Sequence, residues 1–265
     1  MMVPPEPRIG VDVGGSGIKG AIVDLSTGEL LGERVRIPTP ETFGLDEIAA
    51  TIAVIVGELR PGLGVDAVSA PVGVGFPAVV SHGVVASPPT AHEFAGWVGQ
   101  DIAAKLGDQC GVPVVVANDA DVAGIAEFRF GAGHGRNGTV LVIAIGTGVG
   151  SALFVDGVLV PNTEFGKLFL PGQTEVAEHY MSDRVRSDEE LSWPEWGARL
   201  DQYLRHLDRL FTPDLVIIGG GVSKKHDRYL DEVRLRCPVV PAELRNHAGI
   251  IGAALYARSA FTTLD

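Results

Sequence analysis

Residues 9–24 read IGVDVGGSGIKGAIVD. Apolar residues at Ile9, Val11 and Val13 alternate with small or polar ones, the period of a strand. They enter a glycine-rich loop carrying Asp12, Ser16 and Lys19, and a second apolar run at Ile18, Ala21, Ile22 and Val23 leaves it. Gly14, Gly15 and Gly17 lack Cβ atoms, so backbone N–H groups can approach an anionic oxygen closely. Ser16 adds a hydroxyl and Lys19 a cation, while Asp12 can hold a divalent ion beside phosphates. The chemistry is that of phosphate binding.

Gly15-Ser16-Gly17-Ile18-Lys19-Gly20 also fits G-x-G-x-x-G, but that dinucleotide motif needs a helix directly after its glycines. Here Ile18–Asp24 is β-rich, Ser26-Thr27-Gly28 signals a turn, and Glu29–Ile37 is expected as a further strand. The unit is a meander, which counts against a Rossmann site. No G-x-x-x-x-G-K-[ST] occurs, so a P-loop is excluded.

The design recurs. Thr139–Ile145 is apolar, Gly146-Thr147-Gly148-Val149-Gly150 follows, Ser151–Val155 reads as a strand, and Asp156-Gly157 is a hairpin turn before Val158–Val160. Either loop alone could be a tight hairpin and nothing more. Two of them, about half the chain apart, point to an internal duplication whose loops face one nucleotide or phosphate chain.

The chain of 265 residues can bury a substantial core as one large or two modest domains. Its 46% hydrophobic content, 20% charge and 35 glycines describe a loop-rich α/β protein. A net charge of −12 argues against a nucleic-acid partner. Two distant cysteines, Cys110 and Cys237, give neither a disulfide framework nor a metal motif, which suits the cytoplasm. No apolar run approaches membrane-spanning length, so no membrane association is expected.

Leu45–Leu59 carries a helical stripe, Val72–Phe76 reads as a buried strand, and Trp97–Leu106 as a helix stopped by Gly107 with Val98 inward. Val112–Ala117 is a strand running into Asn118-Asp119-Ala120-Asp121. Polar groups at the carboxyl end of a buried strand project into the ligand crevice of an α/β sheet. One of them is expected to cap the helix from Ala120, and a general base is the natural use of another. Ser192 caps a helix through Phe211, with Trp196, Leu200, Tyr203, Leu204, Leu207 and Leu210 on one face. Leu215–Ile218 leads into a third glycine loop, Gly219-Gly220-Gly221, suited to close approach of a flat ring such as a purine. Glu175–Glu190 reads as a solvated, charge-rich segment, and Ala248–Phe261 as a closing helix suited to tight packing. Arg129, His134, Arg136, Lys224 and Lys225 form no dense run and read as scattered solubilising charges rather than an anion track.

In order, DVGGSGIKG, NDAD, GTGVGSAL and LVIIGGGVSK resemble the ROK sugar kinases of the actin/hexokinase superfamily. GVVASPPTAHEFAGWVG, LVPNTEFG, LSWPEW and VVPAELRNHAGIIGAA are similar to the polyphosphate glucokinases within it. The resemblance implies a two-lobed, ribonuclease-H-like ATPase fold of duplicated mixed sheets flanked by helices. One lobe would be residues 1–118 plus 245–265 and the other 119–244, with the active site in the cleft between them. Asp119 would be the catalytic base, and Asn118, Glu164, Lys167 and His92 would lie at the sugar. Asp12, Gly14, Gly15, Ser16, Gly17, Lys19, Gly146, Thr147, Gly148, Gly220 and Gly221 would hold the donor. Asp12 would engage Mg²⁺, directly or through water. No structural zinc is expected, because the Cys-rich loop of many ROK proteins is missing, and a homodimer is usual in the family.

The implied activity is phosphoryl transfer from polyphosphate or ATP to the 6-hydroxyl of glucose. Three positions depart from the family pattern. Its E-x-G-H motif reads Glu164-Phe165-Gly166-Lys167, its G-x-P-G loop ends in Ala78, and Ala91–Ala95 lacks the usual Asn and Lys. A different hexose or derivative as acceptor, or a sugar sensor without turnover, are the alternatives these departures leave open.

Overall fold

The structure is a computed structural model that describes residues 6–64, 67–89 and 95–259; His92, expected at the sugar, lies outside them. The chain divides into two compact units, Met1–Ala126 with Asn246–Asp265, and Glu127–Arg245. The first begins with β1 (Pro7–Gly14), β2 (Gly17–Asp24), β3 (Val35–Ile37), α1 (Leu45–Leu59), β4 (Val72–Phe76), β5 (Val80–Ser81) and β6 (Val84–Val85). It continues through α2 (Ile102–Cys110), β7 (Val114–Asn118) and the start of α3 (Asp119–Phe130). The second holds β8 (Thr139–Ile145), β9 (Val149–Val155), β10 (Val158–Val160), α4 (Glu178–Met181), α5 (Asp183–Asp188), α6 (Trp193–Phe211), β11 (Leu215–Gly220) and β12 (Val239–Pro241). The last helix, α7 (Ala248–Ser259), belongs to the first unit.

The duplication is explicit in the sheets. One has the order β3-β2-β1-β4-β7 and the other β10-β9-β8-β11-β12. In each, a three-stranded antiparallel meander continues into two parallel strands. The glycine-rich loops after β1 and β8 therefore each join the first two strands of their own repeat.

Local physics explains most elements. In α1 the expected stripe is buried at Ile48, Ala49, Ile52, Ile55, Val56 and Leu59. Ser192 and Glu195 form a reciprocal capping box at the head of α6, worth about 1 kcal/mol. Trp196, Leu200, Tyr203, Leu204 and Leu207 then fill the second core, but Leu210 is 58% exposed, off the stripe where it was expected.

Two further expectations need correction. Of Glu29–Ile37 only Val35–Ile37 pairs as a strand, preceded by a single bridge from Leu30 to Val23; Gly32 at φ +98° interrupts the run. The helix placed at Trp97–Leu106 instead begins at Ile102, because Asp101 accepts the Ala104 N–H as its cap. It runs past Gly107 to Cys110, where Gly111 takes the left-handed conformation at φ +63°. Trp97 lies before it, its indole N–H donating to Phe43 O and its ring packed on Phe43 and Phe76, while Val98 is exposed.

One feature in each unit holds its chain ends together. In the second, the buried Glu127 carboxylate accepts N–H groups from Ala132, Glu243 and Leu244 at 2.7–3.2 Å, tying its first residues to its last. In the first, α7 lies directly on backbone. A Cβ at Gly10 would fall 2.0 Å from Ile250 O, one at Gly73 1.7 Å from Ala253 O, and one at Gly252 1.6 Å from Val122 O.

The expected outcome of Gly73→Ala is a loss of about 3 kcal/mol or more of stability, at the upper end for overpacking, since backbone cannot rotate away. Urea unfolding measures it; a loss below about 1 kcal/mol would show that α7 can lift off the sheet freely.

Candidate functional site

In the first unit, Gly14 pairs with Gly17 across the β1–β2 hairpin, leaving Gly15 and Ser16 as an exposed two-residue turn. Both flanking carbonyls are occupied. Thr39 Oγ1 donates to Gly14 O at 2.5 Å and Arg36 Nη2 donates to Ser16 O at 2.9 Å. Because the peptide is trans, holding Gly14 O turns the Gly15 N–H the opposite way, away from Thr39. Neither Thr39 nor Arg36 was singled out by sequence. Their signal was only a hydroxyl and a cation on the neighbouring stretch of the meander.

Asp12 sits opposite Lys19 in the register of β1 and β2, with Nζ 3.5 Å from Oδ2. On the other side it meets the first turn of α7: a Cβ at Gly249 would lie 2.8 Å from the carboxyl carbon. The positive end of a helix favours an anion there. Burial nevertheless pushes the Asp12 carboxyl above its ordinary range, against Lys19 and Arg34, which pull it down. Its side chain is 21% exposed, so a ligand can still reach it.

Asn118 and Asp119 stand at the end of β7. Asp12 aligns with Gly75 of β4, and Phe76 of β4 aligns with Asn118. The two aspartates thus occupy the same sheet edge two strands apart, a separation on the order of 10 Å. Asn118 Oδ1 accepts from Ala120 N and Asp121 N, and its Nδ2 donates to Ala78 O. Asn118 is therefore the cap of α3. Asp119 opens that helix half-buried, with Oδ1 fixed by the Ala120 N–H at 2.8 Å.

In the second unit, Ile145 pairs with Val149 around Gly146, Thr147 and Gly148. Val149 organises what surrounds this loop. Its N–H donates to Glu178 Oε2 at 3.3 Å, and its carbonyl would lie 2.4 Å from any Cβ at Gly166. Gly166 thus lets the Glu164–Lys167 turn press against the loop. Ser151 fastens the same turn, its hydroxyl donating to Thr163 O and accepting the Phe165 N–H.

Lys167 Nζ is ion-paired with Glu178 Oε1. Glu178 belongs to the stretch expected to be solvated; it is instead 8% exposed, between buried Ala177 and Met181 in and beside α4. Those apolar flanks were the signal that one face of the segment turns inward. Burial raises the Glu164 carboxyl, Lys167 lowers it and Glu178 raises it again, so the three side chains form one electrostatic group.

The third loop has a structural reason of its own. Gly220, at φ +76°, leaves no room for a Cβ, which would lie 2.2 Å from Ile145 O. Gly221, by contrast, and Gly146 at the end of the neighbouring strand both face open space. Thr147 is exposed, as are Lys224 and Lys225.

Among the described residues no group of three or more His, Cys, Asp or Glu is placed to hold a metal ion. Nor is any helix long and apolar enough to cross a membrane. Cys110 and Cys237 are free, and burial lifts the Cys110 thiol to about 11, so it stays a thiol at neutral pH.

Duplicated mixed sheets, each opening on a glycine hairpin, define the actin/hexokinase class of fold. Within that class the ROK family pattern matches residues 8–164, and the chain belongs to the ROK family. It is 43% identical to a polyphosphate glucokinase of Mycobacterium tuberculosis, over 93% of this chain and 89% of that protein. The crystal structure of the inorganic polyphosphate/ATP-glucomannokinase of Arthrobacter sp. strain KM matches with a TM-score of 0.88 at 50% identity, covering 96% of this chain and 99% of that one. A ROK family glucokinase of Streptomyces griseus, solved with glucose and AMPPNP, matches with a TM-score of 0.79 at 26% identity, covering 96% and 100%.

Asp12 supplies a stability test. A carboxyl raised on folding destabilises the native state above its folded pKa, and that penalty fades as pH falls toward the unfolded value near 4. Asp12→Asn should unfold at higher temperature than the parent at pH 7 without ligands, the gap closing as pH approaches about 4. A gap that widens on acidification would contradict the burial of this carboxyl.

Proposed function

We propose that this chain is a glucokinase-type phosphotransferase that moves a terminal phosphoryl group from polyphosphate or ATP to the 6-hydroxyl of glucose. The observation that carries the reading is the shared sheet edge of Asp12, beside the glycine hairpin, and Asp119, at the head of α3. One carboxylate lies where phosphates are held, and the other lies far enough away for a hydroxyl and the transferring group to fit. The polyphosphate glucokinase and glucomannokinase relatives support the donor and acceptor.

In the reaction, the Asp119 carboxylate takes the proton of the 6-hydroxyl. The oxygen's electron pair forms the new bond to phosphorus, and the bond to the leaving phosphate oxygen breaks with its pair on that oxygen. Such a transfer depends on in-line positioning and charge stabilisation rather than covalent help. Lys19 and the outward Gly15 N–H supply positive potential to the phosphates. Asp12 is a fitting Mg²⁺ partner, since this ion keeps several waters and needs only one or two carboxylates besides phosphate oxygens. Bound there, Mg²⁺ would neutralise charge on the phosphates. Glu164 accepts sugar hydroxyls, and the Lys167 ammonium donates to them.

The Lys167–Glu178 pair bears on the acceptor. A lysine with its charge already balanced by a buried carboxylate is a hydroxyl donor, not a cation awaiting an acidic sugar. The pair therefore favours a neutral hexose, glucose or mannose, over an anionic derivative.

The test is sugar-phosphate formation by purified protein, crossing ATP and polyphosphate with glucose, mannose and an acidic hexose. Asp119→Asn should lower kcat by about 10²–10⁴-fold with either donor, the range for loss of a general base. Unchanged turnover would remove Asp119 from the chemistry. Absence of any phosphorylated product would leave a sugar-binding protein.

Glu164 adds a pH test. It accepts hydroxyls as the carboxylate, so glucose affinity is present above its raised pKa and is lost as pH falls through it. Lys167→Met removes the cation that lowers this pKa and should move the acid rise in KM to higher pH. An unshifted acid rise would show that Lys167 does not act on Glu164.

A further inference from the structure

The first sheet carries a row of charges that runs from the glycine hairpin to the sheet edge. Asp12 on β1 is paired in register with Lys19 on β2, and Lys19 with Arg36 on β3. Cross-strand partners project from the same face, and neighbouring strands are about 4.8 Å apart, so the row spans roughly 10 Å. β3 is the edge strand, and beyond Arg36 the row opens to solvent.

Arg36 is both anchored and exposed. Its Nη2 donates to Ser16 O, and a Cβ at Gly17 would strike the guanidinium at 2.8–2.9 Å, so the fork lies flat across the glycine turn. Ser16 takes one of five N–H donors in a planar group suited to phosphate oxygens. Arg34, two residues before Arg36 and immediately before β3, is exposed, and its charge is felt by the Asp12 carboxyl. Glu33 between the strands is exposed, and Asp12 is the carboxylate within the row. Three cations against that one carboxylate stand out on a chain of net charge −12.

We infer that Lys19, Arg36 and Arg34 form a track for the distal phosphates of a linear polyphosphate, with the phosphate to be transferred at the hairpin and the rest of the polyanion leaving over β3. The inference rests on the proposed kinase reading and extends it to donor choice. ATP has only three phosphates and then a nucleoside, which gains nothing from guanidinium groups farther out. A long polyphosphate repeats the same charge at each step and has no fixed end, so an open-ended row accommodates it at any length. Arg36, pinned to the loop, loses little side-chain freedom on binding.

The experiment compares kcat/KM for long-chain polyphosphate with that for ATP in the parent, Arg34→Gln, Arg36→Gln and the double variant. The ratio of polyphosphate to ATP efficiency should fall about tenfold per lost charge-assisted contact. Raising KCl should weaken polyphosphate more than ATP in the parent, because screening grows with the number of charge pairs. An equal fall with both donors would overturn the track and leave Arg36 a brace for the hairpin; no change with either donor would also overturn it. Retention of labelled polyphosphate on a native gel, without glucose, reads binding apart from turnover. Arg34-dependent retention by a protein that phosphorylates nothing would keep the track and refute the kinase reading. No retention by the parent would refute the track.

Discussion

Helix α7 rests on the first sheet with almost nothing between two backbones, and the chemistry of that unit depends on this contact. Gly10 and Gly73 on the strands and Gly252 on the helix are the positions where a single carbon would force the elements apart. Contact at this distance cannot slide by a residue without bringing a side chain into a space that holds none. The consequence reaches both aspartates. Through Gly249 the first turn of α7 abuts the Asp12 carboxyl, and through Gly252 the same helix presses on Val122, one turn into the helix that Asp119 begins. A segment from the end of the chain thus sets the surroundings of a residue near its start and of one near its middle.

The two glycine hairpins are copies of one design, yet they are braced by opposite charges. In the first, the cation Arg36 grips a carbonyl, Ser16 O. In the second, the carboxylate of Glu178 grips an amide, Val149 N–H. A brace that occupies carbonyls leaves amides for an anion, and its own positive charge adds to the attraction. A brace that occupies an amide places negative charge beneath the loop. It suits a neighbour that presents hydroxyl groups or cations, as the Glu164–Lys167 turn does. Divergence after duplication has therefore changed the electrostatic sign behind each loop while keeping strand order and register.

Sequence made the duplication, the hairpins, most helices and the aspartate at the end of β7 legible, because each rests on contacts between residues close along the chain. Alternation marks Ile9, Val11 and Val13; a capping box marks Ser192; glycine and hydroxyl residues mark the loops. What was not legible depends on distant partners. Arg36 gains its meaning from a carbonyl 20 residues earlier, and Glu178 from an amide 29 residues earlier. Glu29–Ile37 alternates poorly and is broken by Gly32, so only its last three residues found a partner strand. Gly220 looked like a ligand-facing glycine, but its nearest constraint is the backbone of Ile145. Asn118 has a share in both kinds of reading, since its capping bonds follow from local sequence and its bond to Ala78 O from the fold.

Lys167 stands where the family motif has histidine, and its neighbours show what the exchange does physically. Glu164 and Glu178 are two carboxylates brought together at a partly buried turn, and the charge on Glu178 raises the cost of ionising Glu164. A neutral imidazole between them would leave two negative charges; an ammonium leaves one. Lysine therefore helps keep Glu164 ionised, and an ionised Glu164 is the form that accepts a hydroxyl. The exchange gives up a planar group that can both donate and accept and installs one that only donates. Under the proposed kinase reading, the loss would fall on a sugar hydroxyl that donates to the ring, while hydroxyls that accept would still be served. Selection among neutral hexoses would then follow from which hydroxyl needs an acceptor at this position, with Glu164 as the acceptor that the lysine preserves.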